Sequence, residues 1–284
     1  MFLQSAWFHA VSKPETAVPN RVLDTSLATA AMKPYEVLKA SSSSFAWPLR
    51  LISVDRRDAA HALYAFCRVV DDIADGPGDS EARLAALQWW REELSRVYGG
   101  TPHTVVAQAL ATAARAHDLP RRAFEDLLDG MESDAREVWQ HPTISEVETY
   151  CWRAAGTVGL LLLAILDVRG ENAQRLAETL GLAVQLTNIL RDRDEDVANG
   201  RIYIPVGVDA SDGGAGLTAR AYEVYKSSDA LIAELDRAAA RPIRFIHAVY
   251  RRLLNRLDRP NGVRPRADLK LLLSASAETF WKTR

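Results

Sequence analysis

Two short stretches carry aspartates at helical spacing. In Ala62–Asp75, ALYAFCRVVDDIAD, the pair Asp71 and Asp75 lies four residues apart, with Asp72 between them. In LAVQLTNILRDRDEDVANGRIYIP, Asp192 and Asp196 repeat that spacing, preceded by Gln185 and Asn188. On a helix, residues three, four, seven or eight apart share a face. Tyr64, Arg68, Asp71 or Asp72, and Asp75 therefore form one polar stripe, flanked by Leu63, Phe66, Cys67, Val70 and Ile73. Gln185, Asn188, Asp192 and Asp196 form another, while Leu182, Leu186 and Leu190 pack elsewhere. Like charges four residues apart repel, more so when desolvated, and a divalent cation removes that cost.

One such pair alone reads as a solvated acidic helix end. Two matching rows, each beside an arginine (Arg68 and Arg191), read instead as the walls of one pocket. The rows supply oxygen donors and neither His nor Cys, a donor set that suits Mg2+ rather than zinc or iron. Mg2+ keeps several waters and is commonly completed by substrate phosphates. Arginine forks fit phosphate oxygens.

The elements that must hold these rows are helical almost throughout. Leu84, Leu87, Trp90 and Leu94 recur at steps of three and four before the Gly99–Gly100 stop. Similar patterns predict helices over Val105–His117, Arg121–Glu132, Ile144–Leu166, Asn172–Asp196, Thr218–Ala240, Ile243–Leu257 and Asp268–Lys282, separated by Gly- and Pro-rich punctuation. Only RIYIPV looks briefly strand-like. Residues 1–35 read as a poorly ordered arm or short helix, and residues 36–284 as one all-α domain of roughly eight to ten helices.

Composition narrows the classes. The 284 residues are 48% hydrophobic and 25% charged, ample for one large core. A formal net charge of −2 gives no electrostatic argument for nucleic acid. Cys67 and Cys151 show neither metal-ligand spacing nor a disulfide framework, so reduced core thiols in a cytoplasmic protein are expected. The N-terminus lacks the basic start and long apolar region of a signal peptide. The longest apolar run, Gly159–Leu166, falls far short of the roughly 20 residues that span a bilayer. Contact with a membrane surface stays open. From Val249 the chain is rich in arginine (Arg251, Arg252, Arg256, Arg259, Arg264, Arg266) with Lys270, which is either a solvated face or a site for a second diphosphate or anionic lipid.

ALYAFCRVVDDIAD together with QLTNILRDRDEDVANGRIYIP resembles the squalene/phytoene synthase family. SSSSF (41–45), GMESD (130–134), YCWRAAGTVG (150–159) and VYRRLL (249–254) support the resemblance in the family's order, over about residues 40–257. It implies a single-domain isoprenoid-synthase helical bundle with a central cavity. It also implies Mg2+ held by Asp71, Asp75, Asn188, Asp192 and Asp196, with Asp72 in or near that shell. Ser42, Ser44, Arg68, Gln185, Arg191, Arg201 and Tyr203 would bind substrate, the serines, the arginines and Tyr203 at its diphosphate. Tyr64, Arg68 and Tyr250 would sit near the reacting centre, although by residue type alone either tyrosine reads as core. AAGTVGLLLLAIL would be either tunnel wall or ordinary core. Glu132 and Asp134 would support or cap as readily as take part directly.

The resemblance implies ionisation of an allylic prenyl diphosphate and head-to-head coupling of the cation to a second one. A second reading keeps the ionisation but passes the prenyl cation to a different acceptor, such as an aromatic ring, or cyclises it. A third, a catalytically silent helical subunit, predicts loss of an aspartate, and both rows are complete. Three departures bear on the acceptor: Arg193 and Asp194 stand where the family usually has small or apolar residues, Ala46 and Trp47 replace an aromatic pair, and the chain is short after IPVGVDASDGGAG. NADPH would serve a member that reduces its intermediate, but no Gly-rich strand-to-helix fingerprint supports it.

Overall fold

Caps and punctuation set the element boundaries. The computed structural model describes residues 20–41, 46–136, 139–205 and 215–258, with positions 272 and 275. Among them are twelve α-helices: α1 Arg21–Ala30, α2 Pro34–Ala40, α3 Ala46–Arg50, α4 Val54–Asp75, α5 Ser80–Gly99, α6 Val105–His117, α7 Arg121–Ala135, α8 Ile144–Cys151, α9 Thr157–Ile165, α10 Glu171–Ala198, α11 Ala215–Ala233 and α12 Arg237–Leu257. Asp79 caps α5 by accepting from the Ala82 amide, and Thr104 caps α6 by accepting from Ala107. Thr143 and Glu146 form a capping box at α8. Gly100, at φ 86°, lets the chain leave α5 in a left-handed turn.

The all-α expectation holds, with local corrections. Ile144–Leu166 is not one regular helix: a π-helical turn, Trp152–Gly156, separates α8 from α9. Part of the stretch read as an arm or short helix is α1, whose Val22 and Ala30 are buried and which packs on α4 and α5. The packed body therefore begins before residue 36, because α1 covers apolar surface that α4 and α5 would otherwise expose. The break expected at Pro242 falls at Asp236, whose carboxylate accepts from the Ala238 and Ala239 amides and starts α12. Pro242 then rides inside the helix, buried by tertiary packing. The strand-like RIYIPV contributes one isolated parallel bridge, Ile202 with Gln140. Asp268–Lys282 lies outside the described residues except for the helical positions 272 and 275.

α4 and α10 form the frame. α4 packs against α1, α2, α5, α6, α7 and α9, and α10 against the π turn, α8, α9, α11 and α12. Near the middle of α10, Gly181 sits so close to the π turn that a Cβ there would lie 2.5 Å from the Gly156 Cα. Gly181 thus lets α10 and the π turn touch backbone to backbone. Between the α4 side and the α10 side lies a cavity.

Candidate active site

The cavity has a volume of about 270 Å³. Both long helices line it with one continuous stripe. Along α4 the stripe runs Ala60, Leu63, Tyr64, Cys67, Arg68, Asp71; along α10 it runs Leu176, Ala177, Leu180, Gly181, Val184, Gln185, Asn188. Each spans about 16–18 Å at 1.5 Å per residue. Both stripes pass from apolar to polar toward the helix C-terminus, so one end is dry and the other charged. Leu127 and Met131 of α7, Leu49, and Ile243 and Ile246 of α12 complete the apolar wall.

At the polar end the two carboxylate rows meet the same groups. Arg201, just beyond α10, places Nη1 2.6 Å from the Asp75 Oδ1 of α4. Asp196 of α10 is pushed up to about 6 by desolvation, with Asp192 and the α4 carboxylate Asp75 adding repulsion against Arg201. Asp71 is likewise pushed up to about 6, by desolvation first and by Asp75 next. Arg68 forks onto Asp72, with Nε 3.0 Å from Oδ2 and its Nη2 on Oδ1, and lies 3.6 Å from Asp71. Burial raises Asp72 too, against Arg68. On α10, Arg191 forks onto Asp192 at 2.8 and 2.5 Å. Arginines thus partly neutralise both rows.

Asn188 donates through Nδ2 to the Gln185 Oε1 at 3.1 Å, which leaves its buried Oδ1 without a hydrogen-bond partner. A buried acceptor in that state is costly, and it stands beside the carboxylates at the cavity's polar end. Among the described residues no three Asp, Glu, His or Cys side chains stand grouped so as to hold a metal ion by themselves. This open, all-oxygen arrangement fits Mg2+, which takes one or two carboxylates and completes its shell with waters and phosphate oxygens. Cys67 lines the wall as a thiol, pushed up to about 12 by burial and by Asp71.

The remaining expected residues fall as follows. Tyr64 lines the cavity, its hydroxyl 2.6 Å from the Ser41 Oγ. Tyr250 is buried, with its hydroxyl oxygen accepting from Arg191 and from the Asn188 amide nitrogen. Tyr203 is buried too, but its hydroxyl donates to Asp134 at 2.8 Å, a different partner from the diphosphate expected for it. Ser42 and Ser44 lie outside the described residues, as do Arg259, Arg264, Arg266 and Lys270 of the basic tail. Arg251 is exposed and 3.6 Å from Asp229. Arg193 and Asp194 pair with each other at 3.1 Å, and the Asp194 side chain, 91% exposed, points to solvent. AAGTVGLLLLAIL divides between cavity and core: Ala154, Ala155, Val158, Gly159, Leu162 and Leu163 line the cavity, while Leu161 and Ile165 are fully buried behind them. Glu132 takes Arg91 at 2.6 Å and Arg136 at 3.0 Å, a structural tie. The apolar contributions of α7 and α12 had no sequence signal beyond ordinary amphipathicity.

Comparison with known proteins agrees with this geometry. The family model described as squalene/phytoene synthase matches residues 38–273. A presqualene diphosphate synthase from Rhodopseudomonas palustris is 34% identical over 250 residues, 82% of this chain and 89% of the relative. A phytoene synthase from Rhodobacter capsulatus is 34% identical over 225 residues, 79% of this chain and 61% of the relative. The crystal structure of squalene synthase HpnC from Alicyclobacillus acidocaldarius superposes with a TM-score of 0.72 at 25% identity, covering 84% of this chain and 95% of that one. The chain belongs to the squalene/phytoene synthase family, whose members are prenyl transferases.

Proposed function

We propose that this protein is a Mg2+-dependent transferase that ionises one allylic prenyl diphosphate and couples the cation head-to-head to a second. The product would be presqualene or prephytoene diphosphate, or the hydrocarbon derived from it. One observation carries the reading: one cavity is dry along most of its length and polar at one end, where α4 contributes Arg68 and Asp71 and α10 contributes Gln185 and Asn188. A prenyl diphosphate has the same division, an apolar tail and a polyanionic head. The presqualene diphosphate and phytoene synthase names of its relatives favour a second prenyl diphosphate as acceptor over an aromatic one.

Asp71, Asp75, Asn188, Asp192 and Asp196 would hold Mg2+, with Asp72 beside them, and the metal would supply charge neutralisation for the departing diphosphate. Arg68, Arg191 and Arg201 would add fork-shaped donors to its oxygens. Gln185 and Asn188 lie where the polar and dry parts of the cavity join and would stand next to the bond that breaks. Tyr64 and Tyr250 flank that zone, and their ring faces tolerate developing positive charge. The aliphatic wall excludes the water that would quench an allylic cation. No helix among the described residues is long and apolar enough to cross a membrane. Contact with a membrane surface is compatible with the greasy product, and cytoplasmic residence with two free cysteines.

Incubation with farnesyl diphosphate alone, with and without Mg2+, tests the reading. A coupled C30 product that disappears without Mg2+ is expected. Diphosphate release without coupling would transfer the case to a non-prenyl acceptor, and no release at all would end it. NADPH is not required for the coupling step; a C30 diphosphate accumulating in its absence checks that.

A further inference from the structure

Asp134 is 5% exposed on α7, and burial alone would make its carboxylate costly. Three aromatic donors answer it. Trp139 Nε1 donates to Oδ1 at 2.8 Å, the Tyr203 hydroxyl to Oδ1 at 2.8 Å, and the Tyr150 hydroxyl to Oδ2 at 3.0 Å. Their rings also pack together, with centroids 4.7 Å apart for Trp139–Tyr150 and 5.2 Å for each of the other two pairs. The donors arrive from three places: the chain after α7, helix α8, and the chain after α10.

Tyr203 belongs to the segment 200–205, which is not helical. Its backbone is tied by the Arg201 amide to the Asp196 carbonyl at 2.8 Å, and by the Ile202 amide to the Trp139 carbonyl at 2.8 Å. Trp139 therefore grips the segment twice, through its own carbonyl and through the carboxylate it shares with Tyr203. Arg201, two residues before Tyr203, sends its side chain back to Asp75 on α4, where it is only 15% exposed. A long arginine reaches one oxygen reproducibly only when the backbone beneath it is held.

We propose that Asp134 is a positioning residue for the diphosphate end of the site: through the Tyr203 hydroxyl it anchors the segment 200–203 so that Arg201 stands against Asp75. The proposal rests on the function proposed above for what Arg201 serves there, but the anchoring itself can be read without any ligand.

Tyr203→Phe removes one oxygen, and Asp134→Asn keeps the shape while losing an acceptor. Hydrogen exchange followed by mass spectrometry should show amides of residues 199–205 exchanging about tenfold faster in both variants, with α4 and the first half of α10 unchanged. Binding of inorganic diphosphate with Mg2+ should weaken about tenfold in Tyr203→Phe, and in Arg201→Gln as well. The double variant should bind no more weakly than Arg201→Gln alone, because both changes cut one chain of contacts. Unchanged exchange in the segment would overturn the proposal, and so would losses that multiply in the double variant. If Asp134→Asn does not fold, Tyr203→Phe alone decides. Wild-type protein that binds no diphosphate would instead sink the proposed function, and the exchange measurement would still decide the anchoring.

Discussion

The same two helices build both halves of the cavity, and the halves could hardly differ more. Toward their N-termini α4 and α10 present Ala60, Leu63, Leu176, Ala177 and Leu180; toward their C-termini they present Arg68, Asp71, Gln185 and Asn188. The dry half leaves space that bulkier side chains would fill, which lowers stability. The polar half gathers carboxylates that repel one another and a buried amide oxygen without a partner. A sequence selected for stability alone would fill the first and neutralise the second. Their juxtaposition on continuous helix faces makes sense for a ligand that is greasy at one end and anionic at the other.

The largest expected effect breaks the polar half. Asp71→Asn or Asp192→Asn should each lower turnover of farnesyl diphosphate by about 10²–10³-fold, the scale of losing one main electrostatic stabiliser. Thermal unfolding of Asp71→Asn should occur no lower than in wild type, since the repulsion from Asp75 is removed. Retained turnover in both variants would dissolve the contrast between the halves.

Next comes the seam that brings the halves' walls together. Gly181→Ala puts a Cβ 2.5 Å from the Gly156 Cα, which is backbone and cannot simply swing aside. Denaturant unfolding should show a loss of about 1–3 kcal/mol, as for other overpacked sites. A neutral result would mean that α10 and the π turn have slack.

The dry half is sharpened by Leu180→Trp, which adds bulk to the apolar wall. kcat/KM for farnesyl diphosphate should fall about tenfold or more, while inorganic diphosphate with Mg2+ should bind as before. Equal losses for both ligands would show that the two compartments are not separable.

The smallest effect concerns pH. Burial pushes Asp134 up to about 7, above the ordinary aspartate range near 3.8. Its folded pKa is raised, so its contribution favours the fold at low pH and is lost as pH rises from about 4 through about 7. Asp134→Asn cannot titrate. The stability of wild type relative to Asp134→Asn, measured by denaturant at pH 5 and pH 8, should therefore be lower at pH 8. A difference that does not change with pH would place the carboxylate in a better-solvated setting than its burial suggests.

Much of the site was legible because helical spacing converts sequence position directly into a shared face. Asp71 with Asp75, and Asn188 with Asp192 and Asp196, needed only the 3.6-residue period, and the motifs around them carried the family resemblance. Tyr203 was legible as a motif residue but not in its hydrogen-bond partner, since nothing local ties position 203 to position 134. Trp139 gave no signal: it follows α7 outside any periodic stretch, and only its carbonyl and indole contacts make it matter. The π turn was hidden inside an apolar run that reads as one helix, because an inserted residue leaves hydrophobicity unchanged while rotating the face.

By itself, then, the order of residues determined which helices exist, which faces are apolar, and that two of them carry oxygen donors in rows. Those are consequences of local periodicity and capping, and they survive without knowing what packs on what. Only the tertiary structure decided that both polar stripes end at the same side of one cavity, that Arg201 crosses to Asp75, and that α7 and α12 close the apolar wall. Contacts between segments far apart in the chain depend on how helices cross and how closely they approach. At Gly181 that approach is set by the absence of a side chain, a fact whose meaning appears only when the partners meet.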